Sequence, residues 1–293
     1  MKSENSTQQK RSPILLAVSL VLLLLAAGLL LYPYLRTTQQ MTANQKAALI
    51  VEKNATPKKS ASEKRRQQAI NQYNQLVVQQ QQANQIGGTN ASRDRLALVK
   101  KFQPQLHHPL GFVTVPAIKM SSMPFYYGDD DWALTHGAGL LPWTSIPNGR
   151  RGTLAEITGH TGMSQVFFDN IRYLKKGDLI YVTAFDQEFA YKVTGRVVLD
   201  PNQPSSIRTS YAQKNQDQIA LMTCTPRFIN NRRLVIYARR TKLKQAKHRP
   251  VQIRSQWTPE SIMALLSIIP LLAIIVILWL WWRNRRKDRD QDE

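Results

Sequence analysis

Three residues in the second half of the chain have side chains that could carry out acyl transfer. Cys224 is the single cysteine in 293 residues and ends an apolar run, in the sequence Leu-Met-Thr-Cys-Thr-Pro. His160 lies in Thr-Gly-His-Thr-Gly, and Arg233 opens another apolar run nine residues after the cysteine. A thiolate can attack a carbonyl carbon, an imidazole can move the protons, and a guanidinium can stabilise the oxyanion. Taken singly, Cys224 is equally well explained as a structural cysteine, and His160 as a surface histidine.

Short β-rich runs broken by turn residues predict the framework that must position these three side chains. The runs are 111–115, 154–158, 179–184, 189–198, 219–223 and 234–238. Several alternate or are rich in Val, Ile, Tyr and Thr, and no long helical crossover links a pair, so we expect a mainly antiparallel barrel or sandwich. The predicted all-β domain spans about 106–241, which is long enough to bury one core.

Two long apolar runs, 14–31 and 262–282, contain no charged residue and approach the roughly 20 residues that cross a bilayer as a helix. We therefore predict transmembrane helices at 14–34 and 261–282. A cleaved signal peptide is the alternative for the first run. Tyr32 and Tyr34 follow it in place of a small-residue cleavage site, which favours an uncleaved anchor.

Basic residues flank both predicted spans and set the expected orientation. Lys2, Lys10 and Arg11 precede the first span, and five Lys or Arg residues follow the second within 283–293. Such clusters stay on the cytoplasmic side. We expect a two-pass plasma-membrane protein with cytoplasmic tails at 1–13 and 283–293 and an extracellular middle.

The segments beside the predicted barrel are polar. Residues 35–105 are rich in glutamine and predict a stalk, in which Ala69, Tyr73 and Val77 favour a partly amphipathic helix over about 62–85. Residues 242–260 are basic, contain prolines and predict a return linker.

Lys and Arg outnumber Asp and Glu by 40 to 19, giving a net charge of +21 that attracts polyanions. The basic residues lie largely in the stalk, the linkers and the chain ends, without a nucleic-acid-binding motif, so no nucleic-acid partner is expected. The run 129–131 is acidic, and His107, His108 and His136 lie nearby in sequence. Their spacing matches no familiar metal site, so we expect an exposed acidic loop.

In combination, the three candidate residues resemble the signature of the sortase family: a T-G-H segment, a strand that ends T-C-T-P, and an arginine nine residues beyond the cysteine. The resemblance covers roughly 111–240 and includes the segments 125–128, 137–139, 144–147 and 174–178. It implies an eight-stranded β-barrel and an extracellular cysteine transpeptidase that needs no metal or organic cofactor.

The resemblance also implies roles for individual residues. Sortases cleave a Leu-Pro-x-Thr-Gly-like sorting signal between Thr and Gly, and pass the acyl group to an amine. Cys224 would attack the threonyl carbonyl, His160 would protonate the leaving amine and deprotonate the incoming one, and Arg233 would stabilise the oxyanion or position the substrate. Thr223 and Thr225, which flank the cysteine, are assigned to substrate binding. The common T-L-x-T-C form has alanine here in place of its first threonine.

The second predicted span and the long stalk resemble class C sortases, which join pilin subunits through lysine side chains. Class C members commonly carry an Asp-Pro-aromatic lid, but no such tripeptide occurs between residues 36 and 111, where 87–94 occupies the comparable stretch. The expected partners are sorting-signal proteins, with pilins first, and an amine acceptor. The alternatives are a sortase that uses a peptidoglycan amine, a cysteine hydrolase, and a non-catalytic wall-binding module with an inert cysteine.

Overall fold

The computed structural model describes residues 13–54, 61–161, 168–248, 250–254 and 259–289. The chain divides into two compact units, one of Met1–Thr38 with Trp257–Glu293 and one of Gln39–Gln256. The helices are α1 (Pro13–Asn54), α2 (Ala61–Gln82), α3 (Thr89–Phe102), α4 (Asp131–His136), α5 (Leu243–Lys247), α6 (Pro259–Leu266) and α7 (Ile268–Arg289). The strands are β1 (Gly111–Val115), β2 (Met120–Tyr127), β3 (Ala138–Leu140), β4 (Thr153–Thr158), β5 (Leu179–Ala184), β6 (Gln187–Leu199), β7 (Asp217–Thr225) and β8 (Arg232–Thr241).

The first unit holds two helical stretches that are long and apolar enough to cross a membrane. They are Ile14–Arg36 within α1 and Ser261–Arg283 across α6 and α7. Only 6% and 11% of the apolar 18-residue stretch in each are buried. Both agree with the spans expected from sequence, and their exposed apolar side chains would suit a lipid environment. The basic residues Lys2, Lys10 and Arg11 lie outside the described residues, so the orientation stays a prediction.

The second unit is built on a closed barrel with the strand order β1-β2-β3-β4-β7-β8-β6-β5. This confirms the expected eight-stranded barrel. Two strands, β2 and β3, were missed because β2 contains Pro124 and two serines, and β3 has three residues. The pairs β2–β3 and β4–β7 are parallel. The other six neighbouring pairs are antiparallel, so the expectation of a mainly antiparallel barrel is confirmed.

Alternate residues of each strand fill the barrel interior, as the two-residue period of a strand requires. The interior-facing residues of the three strands that matter below are Ala155, Ile157, Ile219, Leu221, Leu234 and Ile236, all of which belong to the main core. The residues between them therefore lie on the outer face of the barrel wall. That face carries the candidate site.

Helices α2 and α3 pack on the barrel, so the expectation of a stalk is corrected for residues 61–102. The predicted helix at about 62–85 is confirmed, but its apolar stripe belongs to the same core as the strands. The Tyr73 hydroxyl donates to the Pro142 carbonyl at 2.7 Å, and Asn74 exchanges two hydrogen bonds with the backbone of Ile146. Polar side chains of α2 thus satisfy barrel loops, which is why a glutamine- and asparagine-rich composition concealed a packed helix.

The predicted return linker 242–260 also lies partly on the barrel. Ala246 of α5 is buried against Leu179 and Ala190. Further along, the Arg254 backbone N–H donates to the Ala117 carbonyl at 2.5 Å, and its guanidinium pairs with Asp178 at 3.3 Å. The described part of this segment is therefore anchored through residue 254.

Candidate active site

The three candidate residues lie at the ends of three neighbouring strands. In the parallel pair β4–β7, Thr158 is the partner of Met222. In the antiparallel pair β7–β8, Cys224 is the partner of Arg233. Because directly opposed residues have their side chains on the same face, Cys224 and Arg233 share the outer face of the barrel. Cys224 is half-buried there.

His160 lies two residues after Thr158, the last paired residue of β4. The Gly159 N–H donates to the Met222 carbonyl at 3.1 Å, so the contact between the two chains continues past Thr158. An extension of the β4–β7 register by two residues would bring His160 opposite Cys224. Neighbouring strands lie about 4.8 Å apart, so His160 and Arg233 would then flank the cysteine on its two sides. The His160 side chain is exposed.

Thr223 has a different role from the one expected. Its side chain is 1% exposed, and its hydroxyl donates to the Gly159 carbonyl at 2.8 Å. The two-residue period points Thr223 into the barrel wall, away from a ligand on the outer face. The assignment of Thr223 to substrate binding is therefore corrected: it supports the turn that presents His160. Thr225 is half-buried, and its assignment to substrate binding stays a prediction.

The Arg233 guanidinium is hydrogen-bonded to the backbone of the residues that precede it. Its Nη1 donates to the carbonyls of Asn230 and Arg232, at 3.0 Å and 3.1 Å. A guanidinium has five N–H donors, so donors on Nη2 and Nε remain for a substrate oxygen. The neighbouring Arg232 forms an ion pair with Asp200 at 3.3 Å, and its charge is engaged elsewhere.

The acidic run and the histidines do not form a metal site within the part of the chain that the structure describes. Residues 129–131 are exposed, but they form a helix start in addition to a loop: the Asp130 carboxylate accepts a hydrogen bond from the Ala133 N–H at 2.8 Å and caps α4. His107 and His136 stack on the Trp132 ring, with centroid distances of 4.0 Å and 4.2 Å. Ring packing therefore accounts for both histidines.

Glu156 is a polar residue on the outer face that sequence reasoning missed. It lies two positions before Thr158 on β4, is 1% exposed, and has a carboxylate oxygen, Oε2, without a hydrogen-bond partner among the described residues. Burial raises the pKa of Glu156 to about 7, although a hydrogen bond with Ser210 opposes the shift. Ser210 ends the 3-10 turn Pro204–Ser210. A glutamate inside an alternating strand gives no sign in the sequence that a distant segment covers it.

Residues 87–94, the stretch where class C members commonly carry a lid, comprise the end of the connection from α2 and the first part of α3. The fully buried Arg95 donates from Nη1 to Gln80 at 2.5 Å and from Nη2 to the Ile86 carbonyl at 3.0 Å. Both acceptors are uncharged, so these contacts of the guanidinium with α2 and with the α2–α3 connection are hydrogen bonds and not ion pairs.

A half-buried cysteine with an arginine directly opposite it and a histidine just past the end of the other neighbouring strand supplies the groups that acyl transfer through cysteine can use. The comparisons with known proteins agree with this class. A model of the Sortase domain matches residues 113–241. The structure is similar to that of Clostridium perfringens sortase C with its C-terminal cell wall sorting motif, at 28% identity and a TM-score of 0.56, covering 68% of this chain and 99% of that one.

Two further relatives are sortases A. The chain is 31% identical to a lid mutant of Corynebacterium diphtheriae sortase A, with a TM-score of 0.51, over 60% of this chain and 91% of that one. It is 27% identical to Bacillus anthracis sortase A over 128 residues, which are 43% of this chain and 57% of the length of that curated relative. The chain belongs to the sortase family, whose members are cysteine transpeptidases.

Proposed function

We propose that the protein is a membrane-anchored transpeptidase that cleaves a Leu-Pro-x-Thr-Gly-like sorting signal between Thr and Gly and transfers the acyl group to an amine. The observation that carries this proposal is the pairing of Cys224 with Arg233 on β7 and β8, with His160 two residues past the end of β4, the other strand that pairs with β7. Family membership and the two apolar helices support it.

In the proposed first step, the Cys224 thiolate attacks the threonyl carbonyl carbon and a tetrahedral oxyanion forms. Free N–H donors of Arg233 stabilise that oxyanion or hold the substrate backbone. As the C–N bond breaks, the His160 imidazolium gives its proton to the departing glycine amine. The product of this half-reaction is a thioester on Cys224.

In the proposed second step, the now neutral His160 removes a proton from the incoming amine, which attacks the thioester carbonyl. The amide forms, and the Cys224 thiolate leaves and is ready for another cycle. His160 thus acts as acid and then as base. Its exposed position suits this role, because both the leaving and the entering amine must reach it.

The acceptor we propose is a lysine side chain of a pilin subunit. The likeness to a sortase C structure, together with the second apolar helix, supports this choice. A second candidate is a peptidoglycan amine, as in wall anchoring, and the likeness to two sortases A supports it. Both acceptors use the same chemistry at Cys224.

The test is an acceptor competition with the full-length protein in detergent micelles. A Leu-Pro-x-Thr-Gly peptide is incubated with a lysine-containing peptide and with a small wall-type amine, and the products are identified by mass spectrometry. Pilin polymerisation predicts an isopeptide product that is absent with Cys224→Ala. A product with only the small amine would support wall anchoring, and release of the cleaved peptide to water alone would indicate a hydrolase.

A further inference from the structure

Asp169 is a buried carboxylate that binds two arginines. It lies in the 3-10 turn Phe168–Tyr173 and is 1% exposed. Its Oδ2 forms an ion pair with Arg227, whose Nε donates to it at 2.7 Å. Its Oδ1 accepts a hydrogen bond from Arg172 Nη2 at 2.7 Å, and Arg172 Nε also donates to the Asp169 carbonyl at 2.7 Å. A buried charge of this kind is stable only when paired, and here it is doubly paired.

The partners of Asp169 come from both segments that present the candidate nucleophile and the candidate acid–base group. Thr161, whose hydroxyl donates to Asp169 Oδ1, directly follows His160. Arg227 lies three residues after Cys224, beyond the end of β7. One carboxylate therefore connects the chain just after His160 to the chain just after Cys224, through the Thr161 hydroxyl on one side and two N–H groups of Arg227 on the other.

Phe168, the residue before Asp169, packs against the turn that presents His160. A Cβ atom on Gly159 would overlap the ring of Phe168, so the ring lies directly against the turn that presents His160. Phe168 is 2% exposed. The 3-10 turn thus contacts the His160 segment by apolar packing and by the Thr161 hydrogen bond.

A brace is needed here because the regular ladder has ended. The last β4–β7 register pair is Thr158 with Met222, and past it the chains share only the backbone bond from Gly159 and the Thr223 hydrogen bond among the described contacts. Reacting groups must be held to within a fraction of an ångström, since a misplacement of about 1 Å can cost on the order of 100-fold in rate.

We propose that Asp169 is a positioning residue: through Thr161 and Arg227 it fixes the distance between the His160 and Cys224 segments. The proposal rests on the proposed function for its effect on turnover. The contact between the two segments can be tested without a substrate, by the reactivity of the single thiol.

The first test measures alkylation of Cys224 by iodoacetamide against pH in the full-length protein. An imidazole close to the thiol affects how the alkylation rate depends on pH. His160→Gln alone should therefore change this dependence, and it gives the reference profile for loss of the histidine. Arg227→Gln and Thr161→Val each remove one connection while Asp169 stays paired with Arg172, which protects the fold. We expect both variants to shift the pH profile of alkylation toward that of His160→Gln. The double variant Arg227→Gln/His160→Gln should then have nearly the same profile as Arg227→Gln alone.

The second test compares acylation by a sorting-signal peptide in the same variants. Arg227→Gln should lower the acylation rate constant at saturating peptide by about 10- to 100-fold, because the reacting groups lose their alignment, with KM within about threefold. Arg227→Lys should recover part of the loss, since an ammonium still pairs with the carboxylate.

Asp217→Asn is the matched control. Asp217 is another buried carboxylate paired with an arginine, Arg240 at 3.5 Å, but it opens β7 at the end remote from Cys224. It should leave the alkylation profile and the acylation rate within about twofold of the wild type, because Asp217 does not contact either segment.

Two results would overturn the proposal: wild-type alkylation profiles in both Arg227→Gln and Thr161→Val, or a shift in Asp217→Asn of the same size. If the alkylation profiles shift as expected but the wild-type protein is not acylated by any sorting-signal peptide, the positioning role stands and the proposed function fails.

Discussion

Replacing Glu156 by glutamine should stabilise the protein at alkaline pH and leave it nearly unchanged at pH 4. The carboxyl group is buried, and one of its oxygens lacks a partner in the described part of the chain. Its pKa is raised from 4.5 to about 7 by burial. Ionisation of Glu156 in the folded protein is therefore opposed by the same burial that makes the side chain part of the packed wall.

The sign of the pH dependence follows from linkage. Between pH 4.5 and 7 the folded protein keeps a proton on Glu156 that the unfolded chain has released, so the stability contributed by this group falls as pH rises through that window. Below the window both states are protonated, and above it both are ionised. The raised pKa corresponds to about 3 kcal/mol of stability that is present at pH 4 and lost by pH 8.

Glu156→Gln keeps the shape of the side chain and removes the ionisation. The difference in free energy of unfolding between this variant and the wild type should grow from near zero at pH 4 to about 3 kcal/mol at pH 8, which is roughly 6–12 °C in thermal midpoint for a domain of this size. Thermal unfolding of both full-length proteins across pH 4–8 measures it. Glu188→Gln is the control, since Glu188 pairs with Lys247 at a partly exposed site. An equal shift of the midpoint at pH 4 and pH 8, or no shift at either, would refute the reasoning.

Three further substitutions test the architecture of the site. Gly159→Ala should lower both the thermal midpoint and the acylation rate, by tenfold or more for the rate, because the added methyl group overlaps Phe168. Thr223→Val should destabilise by about 1–3 kcal/mol and lower kcat more than KM, because it leaves the Gly159 carbonyl unpaired; Thr223→Ser should restore both in unfolding and peptide-cleavage assays. Arg233→Lys should lower the single-turnover acylation rate by about 100-fold, through loss of an oriented oxyanion donor, whereas Arg232→Lys should leave it within about twofold.

Much of the barrel, and the pairing of Cys224 with Arg233, could be predicted because they depend on residues that are close together in the sequence. Cys224 and Arg233 lie nine residues apart on consecutive strands, so a single hairpin brings them together. Placing His160 beside them needed the family resemblance, since a parallel pairing between β4 and β7 leaves no local signal.

The parts that were missed depend on contacts between distant segments. Asp169 and Arg227 are 58 residues apart, and nothing in their local sequence indicates an ion pair. Thr223 was assigned by its neighbour in sequence, although the strand period turns its side chain away from the outer face. The packing of α2 was hidden because its asparagine and glutamine side chains donate hydrogen bonds to carbonyls of the barrel loops. From composition alone, such polar residues are expected to face solvent.

The most direct test of the central claim is intact-protein mass spectrometry of the full-length chain, acid-quenched during incubation with a Leu-Pro-x-Thr-Gly peptide. A transpeptidase that works through Cys224 predicts an adduct with the mass of the Leu-Pro-x-Thr acyl group, located on Cys224 by fragmentation and removed by an added amine. His160→Gln should prevent the adduct from accumulating at the wild-type rate. An adduct on another residue, or cleavage of the peptide by Cys224→Ala at the wild-type rate, would contradict the account.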